Sequence, residues 1–231
     1  MIWSADVFWT YLADPRIVAA AGVTILVATA AQTGATAIGF VLALGMRSRV
    51  AALRLAVATY VWLFRGTPPL VLLLLAYFGL PQLGIRLGVL EAGLICLSMY
   101  SAAYMAEIVR AALGAIDRGQ VEAARSLGMS RAETMRSILL PQAIRLILPP
   151  FGNEFASMMR TTSLLSVISF EELLRATNMI INQTFRPLEL YAVAALWYLA
   201  RATAWMAIQA VLERRAALDP APGGGRLRLP S

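Results

Sequence analysis

Residues 17–46 carry no charged side chain. A helix rises about 1.5 Å per residue and the bilayer hydrocarbon is about 30 Å thick, so about 20 apolar residues suffice to cross it. A second run, 66–85, is also free of charge. A chain of 231 residues that is 59% hydrophobic, 14% charged and of mean hydropathy +0.69 cannot hide such runs in one globule. Soluble domains carry about 25% charge. Weaker apolar segments at about 87–110, 141–170 and 188–212 complete an expected set of five spans. The expected fold class is an all-α integral membrane protein with five transmembrane helices.

The polar inventory excludes several chemistries. All 20 basic residues are Arg, with no Lys and no His. A phosphate-binding P-loop needs its Lys, so the chain holds no standard ATP site. Without His, hydrolytic triads and His-ligated metals are absent, and no metal site or catalytic residue is expected. The single Cys96 lies in an apolar run and reads as a small core residue. The net charge of +7 fits Arg residues in cytoplasmic loops better than a nucleic-acid surface.

The distribution of charge sets a topology. Residues 1–16 contain Trp3, Trp9 and Tyr11 with Asp6 and Asp14, and no basic residue precedes Arg16. That is not a secretory signal, and it reads as an interfacial segment on the outer side. The first span ends at Arg47, Arg49 and Arg54, and the third at Arg110. Between spans three and four lies the most basic stretch, from Arg110 through Arg118, Arg125, Arg131 and Arg136 to Arg145. The loop near 171–189 falls outside and balances Arg175 and Arg186 with Glu171, Glu172 and Glu189. The positive-inside bias therefore places the N-terminus outside and the C-terminus inside. The organisation expected is an interfacial segment over 1–16, a transmembrane domain over 17–213 and a disordered cytoplasmic tail over 214–231, Pro- and Gly-rich from 219.

The cytoplasmic loop, about 118–140, is patterned. Glu122 to Ser126 reads as a helix that Gly128 ends with a left-handed backbone. Ser130 then caps a second short helix, about 131–139, with Glu133 completing a capping box, and Pro141 is expected to stop it. Two short helices joined to two spans make either a lever for a soluble partner or a surface hairpin.

Glu122-Ala123-Ala124, then Gly128, Ile138 and Leu140-Pro141, resembles the EAA signature of ABC importer permeases at every position and spacing. The resemblance implies a type I importer permease whose coupling helices dock on an ATPase subunit. Phe64-Arg65-Gly66-Thr67-Pro68, the Tyr104–Arg110 segment and Thr184-Phe185-Arg186-Pro187-Leu188-Glu189-Leu190-Tyr191 resemble the polar amino-acid branch (histidine, glutamine and arginine type). The similarity runs from about 20 to 212. It implies residence in the bacterial inner membrane, an ATPase dimer carrying the ATP and Mg, a periplasmic binding protein and a second permease, identical or paralogous. No cofactor is expected on this chain, and it performs no covalent chemistry.

Glu154 and Arg160 fall inside the fourth span, where a charge costs about 2.5–3.5 kcal/mol and therefore faces protein or water. Glu154, Ser157 and Thr161 share one helix face, with Asn153 at its border. This stripe is either a substrate wall, Glu154 accepting an ammonium or cationic side chain, or an interhelix partner for an Arg. The Gly152-Asn153-Glu154-Phe155 stretch resembles the substrate-lining span of the branch, and an acid at 154 points toward basic amino acids. Arg160-Thr161-Thr162-Ser163-Leu164 resembles the branch's Lys-Asp-Thr-Ser-Leu, with Thr161 in place of the usual acid. Arg160 lies about 120° around the helix from Glu154 and suits a structural role. Arg65-Gly66-Thr67-Pro68-Pro69 reads either as a simple kink or as a cavity-lining break. Glu107 and Arg110 are placed to pair. A channel or secondary transporter, a membrane enzyme using Glu154 as base, and a same-fold permease for methionine or an inorganic anion are the competing readings.

Overall fold

The computed structural model describes residues 3–218. Ten α-helices account for most of them: α1 (Ala5–Leu12), α2 (Pro15–Met46), α3 (Ala51–Gly66), α4 (Pro69–Leu74), α5 (Val89–Ala115), α6 (Arg118–Ser126), α7 (Arg131–Thr134), α8 (Leu140–Thr161), α9 (Leu173–Thr184) and α10 (Pro187–Leu218). Among the described residues there is no strand. Two helices, α2 and α5, are long and apolar enough to cross a membrane alone, and the α3/α4 pair adds a third if it is one span.

Local chemistry explains where these helices begin. Asp14 caps α2 by accepting the Arg16 backbone N–H at 2.8 Å, and Pro15 takes the first turn, where no N–H is needed. The Arg16 guanidinium, hydrogen-bonded to the same carboxylate, holds Asp14 below the usual carboxylate range. The short α1 is tied to α10 by the Trp197 Nε1–H, which donates to the Leu12 carbonyl at 3.1 Å.

The core is built on α2 against α5. Ala31, Ala35, Gly39 and Ala43 recur every four residues on the buried face of α2, opposite Ala102 and Ala106 of α5. In lipid, helices gain little from burying apolar surface, so close backbone approach between small residues is what holds them. At Gly39 a Cβ would stand 2.5 Å from the Met105 Cβ.

The expected break after Arg65 is present: α3 and the segment from Pro69 to Leu83 meet at 105°. Pro68 and Pro69 supply no backbone donor to continue α3.

Three expectations need correction. Pro141 does not stop a helix: α7 passes through a π-helical turn, Met135–Leu139, into α8 without a gap. The wider turn shifts the carbonyls that a proline ring would otherwise strike, and the Gln142 side-chain amide donates to the Ile138 carbonyl at 3.0 Å. The tail does not begin at 214, because α10 continues to Leu218; the remainder of the expected tail lies outside the described residues. Glu172, read only as one charge of the outer loop, is fully buried. It caps α9 by accepting the Arg175 N–H at 2.9 Å and accepts the Tyr198 hydroxyl at 2.8 Å. Thr24 of α2 accepts the Leu173 N–H at 3.2 Å, so α9 is pinned to both α2 and α10.

Candidate functional site

The loop between α5 and α8 folds as two capped helices. Asp117 caps α6 by accepting the Gly119 N–H at 2.6 Å. Gly128 ends the turn at φ +77°, where a Cβ would be strained. Ser130 and Glu133 form the expected capping box, at 2.8 and 3.2 Å. The Ser130 side chain first, and the Ser130 backbone N–H second, hold the Glu133 carboxyl below the usual carboxylate range. In α6 the buried residue is Ala124, while Glu122 and Ala123 are exposed. The small Ala124 lets α6 sit close to its neighbours and leaves the other two side chains facing outward. Leu140 and Pro141 open α8, a rigid continuation of this loop.

The second constellation lies between α2, α5 and α8. The Ser101 hydroxyl of α5 donates to the Glu154 carboxylate of α8 at 2.6 Å. Gln32 of α2 sits 3.3 Å from the same hydroxyl, is 2% exposed, and has an amide nitrogen with no partner. One residue before Ser101, Tyr100 meets Tyr104 hydroxyl to hydroxyl at 3.2 Å, and the Arg65 guanidinium lies over the Tyr104 ring at 5.3 Å. The break at Gly66 thus delivers Arg65 to α5, the helix that supplies Ser101.

The expected stripe on α8 is only partly assembled. Ser157 and Thr161 are half-buried, and the Thr161 hydroxyl returns to the Ser157 carbonyl at 2.9 Å. Thr162 is buried and Ser163 lies beside it in a 3-10 turn; their hydroxyls bond the carbonyls of Met159 and Arg160. Asn153 is exposed and Thr67 half-buried. Arg160 is exposed, with no ion pair among the described residues, while Glu107 and Arg110 pair at 2.6 Å as expected. Behind the stripe, α10 supports the proline-interrupted α8: the Trp205 Nε1–H donates to the Gly152 carbonyl at 2.8 Å, and the Gln209 amide to the Pro149 carbonyl at 3.2 Å.

Residues 35–218 match the family described as the binding-protein-dependent transport system inner membrane component. The chain belongs to that family. This permease is the membrane subunit of an ABC importer, works with a substrate-binding protein and an ATPase, and leaves ATP hydrolysis to the latter. It is a multi-pass inner-membrane protein. It is 38% identical over 201 residues to the probable amino-acid ABC transporter permease protein YckA of Bacillus subtilis, covering 87% of this chain and 89% of that one. It is 38% identical over 223 residues to the arginine transport system permease protein ArgU of Corynebacterium glutamicum, covering 90% and 71%. A solved structure described as an amino acid ABC transporter with histidines superposes with a TM-score of 0.86 at 37% identity, covering 93% of the permease and 100% of that chain. The MetNI methionine ABC transporter, at 18% identity and a TM-score of 0.69 (93% and 99% covered), shares the fold.

Sequence reasoning missed Ser101, Gln32, Glu172 and Arg201. Arg201 is 7% exposed, stacks over Tyr198 at 4.4 Å and donates to the Trp197 carbonyl at 3.2 Å. An Arg in the middle of an apolar helix is a signal that the sequence does carry.

Proposed function

We propose that this permease carries polar amino acids inward, with a preference for basic ones, and that Glu154 is the acceptor for the substrate's cationic group. The observation behind this reading is the Ser101–Glu154 hydrogen bond between α5 and α8, with no Arg paired to Glu154 among the described residues. A carboxylate within a membrane helix must face protein or water, and a charge-assisted hydrogen bond to the side-chain ammonium or guanidinium of a basic substrate gives it a cation. The names of the arginine and amino-acid relatives support the same class.

In this reading the chain spans the membrane five times, with α2, the bent α3/α4 pair, α5, α8 and α10 as spans. The N-terminus lies outside and the C-terminus in the cytoplasm, as the Arg distribution favours. Five spans form half a pathway, so two permeases, identical or paralogous, pair across it. A periplasmic binding protein delivers substrate to the outer face. Two ATPase subunits, which carry the ATP and Mg, close and pull α6 and α7 through Glu122, Ala123, Ala124 and Gly128. The π-turn into Leu140 and Pro141 carries that movement to α8 and so to Glu154. Asn153, Ser157, Thr161, Ser163, Arg65 and Thr67 line the route around it, with the buried Thr162 behind them. The test is uptake by the assembled complex with Glu154→Gln. Basic-substrate uptake falls while assembly persists; unchanged uptake rejects Glu154 as the acceptor.

A further inference from the structure

Four arginines from three elements line one cavity. Arg47 and Arg49 follow the C-terminal end of α2, Arg125 lies on α6 and Arg131 opens α7. The cavity holds about 420 Å³, and Met129 and Leu139 contribute to an apolar part of its wall. No carboxylate lines it, and among the described residues none of the four guanidiniums has an ion pair. Gathering like charges without a counter-charge is unfavourable, so such a site selects an anion.

The position of the cavity narrows the choice. The 32 residues of α2 are about 48 Å long, and a tilt of about 20° shortens their reach along the membrane normal to about 45 Å. A bilayer measures about 40–45 Å with its headgroups. With Pro15 at the outer boundary, as in the proposed orientation, Arg47 and Arg49 emerge at the cytoplasmic boundary between headgroups and water. On α6 the cavity takes Val121 and Arg125, one turn apart, while Glu122 and Ala123 are outside its lining. Glu122, three residues before Arg125, borders the cavity without lining it.

We infer that this cavity binds the phosphate headgroup of an anionic phospholipid from the cytoplasmic leaflet and fastens the coupling helices to the end of α2. The arginines engage the phosphate oxygens, and Leu139, on the turn that leads into α8, meets the start of the lipid's apolar part. The inference rests on the proposed orientation, with this loop on the cytoplasmic side.

The test uses the whole complex of permease pair, ATPase and binding protein. It is reconstituted in vesicles of phosphatidylcholine alone, or of phosphatidylcholine and phosphatidylglycerol at roughly three to one. ATP hydrolysis and co-purifying lipid are the readouts, so no knowledge of the amino-acid substrate is needed. Phosphatidylglycerol is expected to raise hydrolysis and to be retained by the complex. The double variant Arg47→Gln, Arg49→Gln is expected to weaken retention by roughly tenfold or more and to lose the stimulation. It keeps the rate seen in phosphatidylcholine alone, and Arg47→Lys, Arg49→Lys keeps much of the dependence. Equal stimulation of the wild type and the Gln variant overturns the inference. So does inorganic phosphate reproducing the stimulation in phosphatidylcholine, which identifies a soluble anion. Loss of the ATPase from the Gln variant also overturns it, by identifying an acidic protein surface as the occupant. Labelling of Ser130→Cys from the outer side defeats the proposed orientation instead, separately from any lipid result.

Discussion

The Ser101 hydroxyl of α5 donates a hydrogen bond to the Glu154 carboxylate of α8 at 2.6 Å, joining two residues 53 apart in the chain. A serine hydroxyl has one proton, and here it goes to a carboxylate that no arginine pairs with among the described residues. This hydrogen bond leaves the carboxylate capacity to accept more donors, and a cationic substrate provides them.

Replacing Glu154 by Gln keeps the shape and removes the charge. Hydrogen bonds to charged groups contribute about 1.5–3 kcal/mol, so arginine uptake by the assembled complex falls by roughly 10–100-fold. Glutamine uptake changes little. Substrate-dependence curves for both amino acids in proteoliposomes check the selectivity.

Gln32 supports this pair from α2. If its amide is turned so that nitrogen faces Ser101, the nitrogen donates to the hydroxyl oxygen and leaves the hydroxyl proton to Glu154. Gln32→Met removes that donor at similar volume and adds no charge. The expected result is a several-fold rise in KM for arginine at unchanged complex yield. A purely structural role lowers uptake of arginine and glutamine alike.

Gly128 tests the coupling loop. A Cβ there meets nothing within 4 Å, so Gly128→Ala acts only through its backbone at φ +77°. The cost is about 1–2 kcal/mol in the turn that joins α6 to α7. ATPase stimulation by loaded binding protein is expected to fall several-fold while α-helical content by circular dichroism is unchanged.

Gly39 tests the packing of α2 on α5. A side chain there strikes Met105 and the backbone of α5. Gly39→Val is expected to destabilise the permease by about 1–3 kcal/mol, seen as a lower unfolding temperature in detergent.

Much of the fold was legible because spans announce themselves by missing charge: α2 and the α4 half of the broken segment follow from runs without a charged residue, whereas α3 carries Arg54 and Arg65 and gave no such signal. The coupling loop was legible because each of its signals is local. Gly128 needs a left-handed backbone and Ser130 needs a partner three residues on, and both conditions are written within ten residues. Pro141 misled because its local effect is real, but the π-turn before it and the Gln142 amide compensate. Glu172 misled because its partners, Thr24 and Tyr198, are 148 and 26 residues away, and the sequence around it carries no trace of them. Ser101 and Gln32 were overlooked for the same reason. The Ala31, Ala35, Gly39, Ala43 series was readable and went unread, since a four-residue spacing of small side chains is the mark of close helix contact in lipid.

In the proposed function this permease moves a basic amino acid past Glu154. The most direct test is ATP-driven uptake of labelled arginine and labelled glutamine by proteoliposomes holding the permease, its ATPase, its binding protein and any paralogous permease. Arginine is expected to accumulate in preference to glutamine, and Glu154→Gln to remove the preference. Preferential glutamine uptake, insensitive to Glu154→Gln, would contradict this function.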